Sequence, residues 1–404
     1  MAWGAVNVSQ KRLEFVIRAA RRQEPMRALC REYGISPETG YKWLNRYLQA
    51  GNLAAVQEQS RRPIHSPSKT APEVEQRVVS LRRQRPDWGA KKLHVLLLKQ
   101  GIDLPVATVH RILLRHQLVP KEARWRPAPH RFERERPNEL WQMDYKGVPP
   151  HVSAHLLPLS IIDDRSRYLT ALAALPNTGA EPLLALLPRI FAECGLPEAM
   201  LLDHGTPWWN AQAAWGLTRV SLWLIRQDIE IIHSGIRHPQ TQGKIESSNR
   251  SIQRQLRWRG WPRQIADWPE WLGNFRDEWN HVRPHEALQM STPASCWHPS
   301  RRPYQAKPRR FDYPADANVR RIAEHGQLQF ENRCFSGPAA LAGEYVAIRH
   351  FREDRYVVLY RCTLIREIDM ATGQSWPLPF QPYRDLFSWG SQENDSDACG
   401  GAFT

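Results

Sequence analysis

The chain has 404 residues, enough for more than one hydrophobic core, and its 56 Lys and Arg against 41 Asp and Glu leave a formal charge of +15 at pH 7. That excess, with a pI near 9.8, points to a polyanionic partner, nucleic acid first and an anionic membrane surface second. No apolar run approaches membrane-spanning length, residues 1–10 lack a signal-peptide pattern, and the six cysteines form neither a C-x-x-C pair nor a Cys/His cluster. A membrane protein, an exported protein and a zinc finger are set aside, and a soluble cytoplasmic protein with reduced thiols is expected.

Residues 9–22 carry Leu13, Val16, Ile17 and Ala20 at helical spacing, and Met26, Leu29, Cys30 and Tyr33 continue the pattern in a second short helix. Gly34 and Ile35 turn the chain, and Ser36-Pro37 suits an N-cap and first turn. The helix they open sets Tyr41, Leu44 and Leu48 inward and Thr39, Lys42, Asn45 and Arg46 outward. This predicts a helix-turn-helix unit over 1–58, with Thr39, Lys42 and Arg46 offered to a major groove. A small bundle with a solvated basic face is the competing reading.

Residues 59–72, rich in Ser, Arg and Pro, read as a linker. Helices at 73–84, 90–100 and 105–116 then repeat the theme as a second helix-turn-helix unit, 73–117, in which Thr108, His110 and Arg111 are candidates for DNA contact. A basic linker, 118–137, follows; Arg124 and Arg126 beside Trp125 are suited to phosphates.

From Asn138 the periodicity changes to that of strands. Trp141, Met143 and Tyr145 alternate with Gln142, Asp144 and Lys146, which puts Asp144 on the polar side of a strand over 140–147. Residues 156–162 are almost wholly apolar, and 168–175 return beside them through a turn at Asp163-Asp164-Arg165. Helix 181–194, strand 199–202, helix 211–226 and strand 229–233 follow, which makes a mixed sheet covered by helices. Asp203 stands at the carboxyl end of its strand, where open α/β sheets place ligands. After Pro239 and Gly243 a helix presents Gln242, Glu246, Asn249 and Gln253 on one polar face.

If the first and fourth strands are neighbours, Asp144 and Asp203 meet at one edge and the helix can lay Glu246 across them. Three such carboxylates shielded from water are stable as anions only with cations between them, and oxygen-only ligands suit Mg²⁺ or Mn²⁺ over zinc. Two ions about 4 Å apart can activate an attacking oxygen and stabilise a leaving one at a phosphodiester. Asp163 and Asp164 read as turn-builders. His233, His238 and His285 are left outside the catalytic set.

Four ordered motifs carry a family resemblance: Trp-Gln-Met-Asp-Tyr-Lys at 141–146, Ile-Ile-Asp-Asp-Arg-Ser-Arg-Tyr at 161–168, Leu-Leu-Asp-His-Gly at 201–205 and His-Pro-Gln-Thr-Gln-Gly-Lys-Ile-Glu at 238–246. Together with the Asn-His-Val-Arg-Pro-His-Glu-Ala-Leu stretch at 280–288, they resemble the integrase-core DDE transposases of bacterial insertion sequences, most strongly over residues 138–295. The resemblance implies a ribonuclease-H-like core and two Mg²⁺ (or Mn²⁺) ions held by Asp144, Asp203 and Glu246. It also implies DNA contacts at Gln242, Lys244 and Asn249, and strand cleavage and transfer at terminal inverted repeats by a homo-oligomer acting on transposon ends and target DNA. A catalytically inactive or domesticated DNA-binding regulator is the alternative. A retroviral-type integrase would carry an amino-terminal His/Cys zinc module.

A tryptophan-rich helix over 268–280 ends near Arg283-Pro284, and 296–317 read as a linker. Strands over 318–334, 344–352 and 355–368 suggest a small SH3-like β-barrel, 318–385, before a disordered tail, 386–404. The fold class expected is multidomain: α-helical helix-turn-helix units, an α/β ribonuclease-H-like core and a small C-terminal β-barrel.

Overall fold

The computed structural model describes residues 8–57, 70–119, 133–146, 156–203, 205, 207–209, 214–233, 243–262, 264–308, 310–315 and 317–382. The chain divides into two compact units, Met1–Ala71 and Pro72–Thr404.

In the first unit, α1 (Val8–Ala20), α2 (Met26–Glu32) and α3 (Pro37–Ala50) enclose Phe15, Val16, Leu29, Cys30, Trp43 and Leu44. Ser36 caps α3 by accepting from the Thr39 N–H, and Gly51 ends it in the left-handed region at φ 63°. One expectation is corrected here. Leu44 is buried as expected, but Tyr41 and Leu48 are about half exposed, because Gly40 and Trp43 complete the stripe that packs inward. Gly40 allows this approach, since a Cβ there would stand 2.5 Å from Cys30 Sγ.

The second unit opens with α4 (Pro72–Gln84), α5 (Ala90–Lys99) and α6 (Val106–Arg115), packed on Val78, Trp88, Leu93, Leu97, Val109 and Ile112. These are the three helices expected, to within a residue or two at each end.

The core sheet is built from β1 (Leu140–Tyr145), β2 (Leu157–Asp163), β3 (Leu169–Leu175), β4 (Ala199–Leu202) and β5 (Glu230–His233), in the order β3-β2-β1-β4-β5. The first three strands are antiparallel; β4 and β5 run parallel to β1. This mixed order is the ribonuclease-H-like arrangement, and it makes β1 and β4 neighbours, with Gln142 opposite Leu201. On one face α7 (Ala180–Cys194) and α8 (Arg219–Arg226) share a core with Trp141, Met143 and Met200. On the other, α9 (Gly243–Arg259) and α10 (Trp268–Asp277) cover Ile162, Leu169 and Leu172 through Ile245, Ile252, Trp268 and Phe275. The helix expected from residue 211 begins only at Arg219. Thr218 and Ser221 form a reciprocal cap there, and Trp215 just upstream adopts φ 64°, which no helix continues through.

The carboxyl-terminal strands are β6 (Asn318–Arg321), β7 (Gln327–Phe330), β8 (Arg333–Ser336), β9 (Tyr345–Arg352), β10 (Arg355–Tyr360), β11 (Thr363–Asp369) and β12 (Ser375–Pro382). They do not form the barrel expected. Among the described residues they make an open five-stranded sheet, β12-β11-β10-β9-β6, and a separate β7-β8 ribbon. The sheet buries its face against the core instead of closing on itself. Val346, Ile348, Val358, Ile365 and Ile368 join the cluster that contains Trp215 and Leu224, and β12 lies against β5. Trp215 fixes the junction by donating its indole N–H to the Ser336 carbonyl at 2.6 Å. The stretch after residue 296 packs on the same core: Arg302 donates to the carbonyls of Pro197 and Asp228, each at 2.6 Å. Cys30, Cys194, Cys296 and Cys334 are free thiols as expected, whereas Cys362 is disulfide-bonded. The tail expected over 386–404 lies outside the described residues.

Candidate active site and nucleic-acid contacts

Asp144 is the penultimate residue of β1. The alternation of that strand sends Met143 into the core and Tyr145 onto Trp208, 5.5 Å between ring centres, leaving the Asp144 carboxylate half-buried on the opposite side. Asp203 directly follows β4, the parallel neighbour, so the two carboxylates come together at one end of the sheet. Asp203 Oδ1 accepts from the Gly205 N–H at 3.1 Å and from the Trp208 indole N–H at 2.5 Å. Asp144 Oδ2 accepts from Asn249 Nδ2 at 2.8 Å. Burial, and then the negative charge of Asp203, push the Asp144 carboxyl up to about 6.

Glu246 lies on the first turn of α9 and is exposed. Among the described residues the three carboxylates do not form a cluster able to hold a metal ion. Residues 234–242, which include Gln242 and His238, lie outside the described residues.

The start of α9 is tied to the sheet by a buried polar network. Gln142, fully buried on β1, accepts from the Ile245 N–H at 3.3 Å and donates to Asp164 Oδ1 at 2.8 Å. Lys244 Nζ lies 2.5 Å from the same Asp164 oxygen, with the lysine side chain 12% exposed and the aspartate fully buried. Burial, and then the charge of Arg167, bring the Lys244 ammonium down to about 8, although Asp164 opposes the shift. Asn249 is buried and also accepts from Ser160 Oγ at 3.0 Å. Lys244 and Asn249, both expected at the DNA, therefore face the protein interior. Lys244 is held by a buried carboxylate, and Asn249 by Asp144 and Ser160.

Asp163 and Asp164 build the β2–β3 turn, as their sequence context suggests. Asp163 accepts from the Asn138 and Ser166 N–H groups, each at 2.7 Å, and burial raises its carboxyl. Asp164 accepts from the Arg134 N–H at 2.8 Å. His233 Nδ1 is 3.1 Å from the Asp203 carbonyl, and His285 is buried, its imidazole pushed down to about 2 chiefly by burial.

Of the helix-turn-helix candidates, Thr39 is half-buried in the first turn of α3, Lys42 is exposed, and Arg46 stands 5.1 Å from the Trp43 ring centre. On α6, Arg111 is exposed and donates to Thr108 Oγ1 at 3.1 Å. Arg124 and Arg126 lie outside the described residues. Sequence reasoning missed the basic face of α9, where Glu246, Arg250, Arg254, Arg257 and Trp258 are all exposed along one side. Their recurrence every three or four residues was the available signal.

Three family models match the chain: a helix-turn-helix domain over residues 11–64, a homeodomain-like domain over 39–113 and an integrase core domain over 227–293. The chain is 29% identical over 175 residues to the Gag-Pol polyprotein of baboon endogenous virus, an alignment that covers 42% of this chain and only 10% of that protein. It is 22% identical over 251 residues to the insertion element IS476 uncharacterized 39.2 kDa protein of Xanthomonas euvesicatoria, covering 61% of this chain and 70% of the relative. To the insertion element IS407 uncharacterized 31.7 kDa protein of Burkholderia multivorans it is 23% identical over 246 residues, covering 58% and 85%. No helix among the described residues is long and apolar enough to cross a membrane. Helix-turn-helix models ahead of an integrase core model, and insertion-element proteins aligned along most of their own length, support an integrase-superfamily transposase of an insertion sequence.

Proposed function

We propose that this protein binds the terminal inverted repeats of its element and catalyses metal-dependent DNA strand cleavage and strand transfer, as a multimer because two ends must be joined. The observation that carries this reading is the pairing of Asp144 and Asp203 at the ends of adjacent parallel strands, with α9 hydrogen-bonded to Asp144 through Asn249. Two adjacent carboxylates, with that of Asp144 raised by burial first and then by the charge of Asp203, offer an all-oxygen donor set that a divalent cation relieves. Asp144 and Asp203, with Glu246 from the first turn of α9, would hold Mg²⁺ or Mn²⁺, two ions in the full site. When bound, these ions supply activation of the attacking oxygen and stabilisation of the leaving one.

The remaining roles belong to the chain. Trp208 and the Gly205 N–H orient Asp203, and Asn249 orients Asp144. Arg250, Arg254 and Arg257 give α9 a face that tracks phosphates. Residues 1–58 and 73–117 serve as end-reading modules, with Thr39, Lys42, Arg46, Thr108 and Arg111 toward DNA. The linkers at 59–72, 118–137 and 296–317 join these to the core, 138–295, and to the terminal sheet module, in a cytoplasmic, nucleoid-associated protein.

A second reading, a DNA-binding regulator without cutting chemistry, is favoured by one observation: Glu246 is exposed, and no three-carboxylate cluster exists among the described residues. Incubating the purified protein with a labelled element end, a target duplex and Mg²⁺, beside Asp203→Asn and Glu246→Gln, separates the two. Strand-transfer products from the parent alone support catalysis. Binding without products from any of the three proteins supports the regulator.

A further inference from the structure

The second helix-turn-helix unit is docked on the integrase core at a junction centred on one buried arginine. Arg283 follows α10, in the Asn-His-Val-Arg-Pro-His stretch, and its Nη1 lies 2.7 Å from Oδ2 of Asp87, in the turn between α4 and α5. Both side chains are almost wholly buried, 6% and 3% exposed. The guanidinium stands over two indoles, 5.7 Å from Trp88 of the helical unit and 5.0 Å from Trp279 of the core. Its Nη2 is 3.4 Å from Ser251 Oγ on α9, the helix that carries Glu246. Two further pairs cross the same junction, Arg85 to Glu278 and Lys91 to Glu286, each at 3.0 Å.

A buried ion pair costs desolvation on both sides, so its worth lies less in net stability than in admitting one arrangement of the groups around it. A planar guanidinium held between two rings and bonded to a carboxylate restricts orientation as well as distance. Arg283 therefore touches both the element that would read DNA and the helix that reaches the acidic site.

We propose that Arg283 is a positioning residue that holds the second helix-turn-helix unit at a fixed distance from the Asp144–Asp203 site, so that the point of cleavage is measured from the recognised sequence and not from the DNA terminus. The inference rests on the proposed function, because it takes 73–117 as an end-reading module. Its content is a geometric coupling that DNA binding alone reports.

The test uses the full chain and element ends lengthened by about five base pairs, about half a helical turn, between the stretch protected by the second unit and the terminus. Hydroxyl-radical footprinting and mapping of cut positions are run on the same DNA. For the parent, the protection contributed by the core and any cut stay at an unchanged distance from the recognised sequence and move off the terminus. For Arg283→Lys and Asp87→Asn, the unit still binds, but core protection and cuts return to the terminus or scatter over several positions. Thermal unfolding checks that these variants fold; if either does not, Lys91→Ala combined with Glu286→Ala loosens the same junction from its exposed side. Core protection that follows the terminus in the parent, or folded variants that keep the parent's spacing, would overturn the inference. Protection that moves with the recognised sequence while no DNA is cut would leave the coupling standing and overturn the catalytic reading instead.

Discussion

Asn249 Nδ2 stands 2.8 Å from Asp144 Oδ2, which bonds the helix bearing one acidic residue to the strand bearing another. Asn249→Ala removes this bond and leaves Ser160 Oγ without its Oδ1 acceptor. A hydrogen bond to a charged acceptor is worth about 1.5–3 kcal/mol. If that is felt at the reacting centre, strand cleavage falls by roughly 10- to 100-fold. Affinity for the element end, read by gel shift, stays at the parent's level, because the amide faces inward. Weakened binding with normal cleavage would return Asn249 to the DNA interface.

Asp144→Asn removes the repulsion with Asp203 while keeping an oxygen that can accept from Asn249. The folded carboxyl is raised to about 6 from an ordinary value of 3.8, so the unfolded chain releases its proton first as pH rises, and ionisation of Asp144 costs the folded state stability. That cost sets in between about pH 4 and 6 and is complete above. In metal-free buffer the variant should therefore be more stable than the parent at pH 7, by on the order of 1–2 kcal/mol after allowing for solvent screening, and equal to it near pH 4. Differential scanning calorimetry with and without Mn²⁺ checks both this and the site. Added Mn²⁺ should raise the parent's Tm and leave the variant's unchanged.

Lys244→Met leaves Asp164 buried without its cation. Loss of one partner from a buried pair costs about 3–5 kcal/mol, and the N–H of Arg134 and the amide of Gln142, which remain on Asp164, hold the loss near the lower end, about 3 kcal/mol. Urea unfolding should show this loss. A stable variant with weakened end binding would make Lys244 a DNA contact after all.

Gly337→Ala tests how the terminal sheet is seated. A Cβ at this position would meet the Gly326 carbonyl at 2.6 Å and Trp215 Cζ2 at 2.8 Å, between two parts that have little room to move. Overpacking of this kind costs about 1–3 kcal/mol. Limited proteolysis should then release the terminal strands from a core that remains intact.

The elements that sequence pattern located are those whose period is set by a buried face. β1, β2, β4 and α7 fall within a residue or two of their expected ends because alternation or a continuous apolar run is itself the burial signal. The side-by-side placement of Asp144 and Asp203 was legible only on the condition that the first and fourth strands are neighbours, which the sheet order meets. That Lys244 and Asn249 are held by groups of the protein itself was not legible, because a polar residue on a helix gives no sign in sequence of whether its partner is water, DNA or a buried carboxylate. Only the fold brings Asp164 and Asp144 beneath α9. The terminal sheet misled for a related reason. Short strands separated by glycines announce a small β module, but whether it closes on itself or on a neighbour depends on Trp215, more than a hundred residues upstream.

β12 lies against β5, the outermost strand of the core sheet on that side. A bare outer strand offers its amide and carbonyl groups to any chain that passes. A copy cut short near residue 370 would lack β12, strip that packing from β5 and leave β11 unpaired along its outer side. At the levels reached by overexpression, shortened copies would adhere to one another and to intact molecules, so that a truncated chain would draw full-length protein out of solution instead of lying inert beside it.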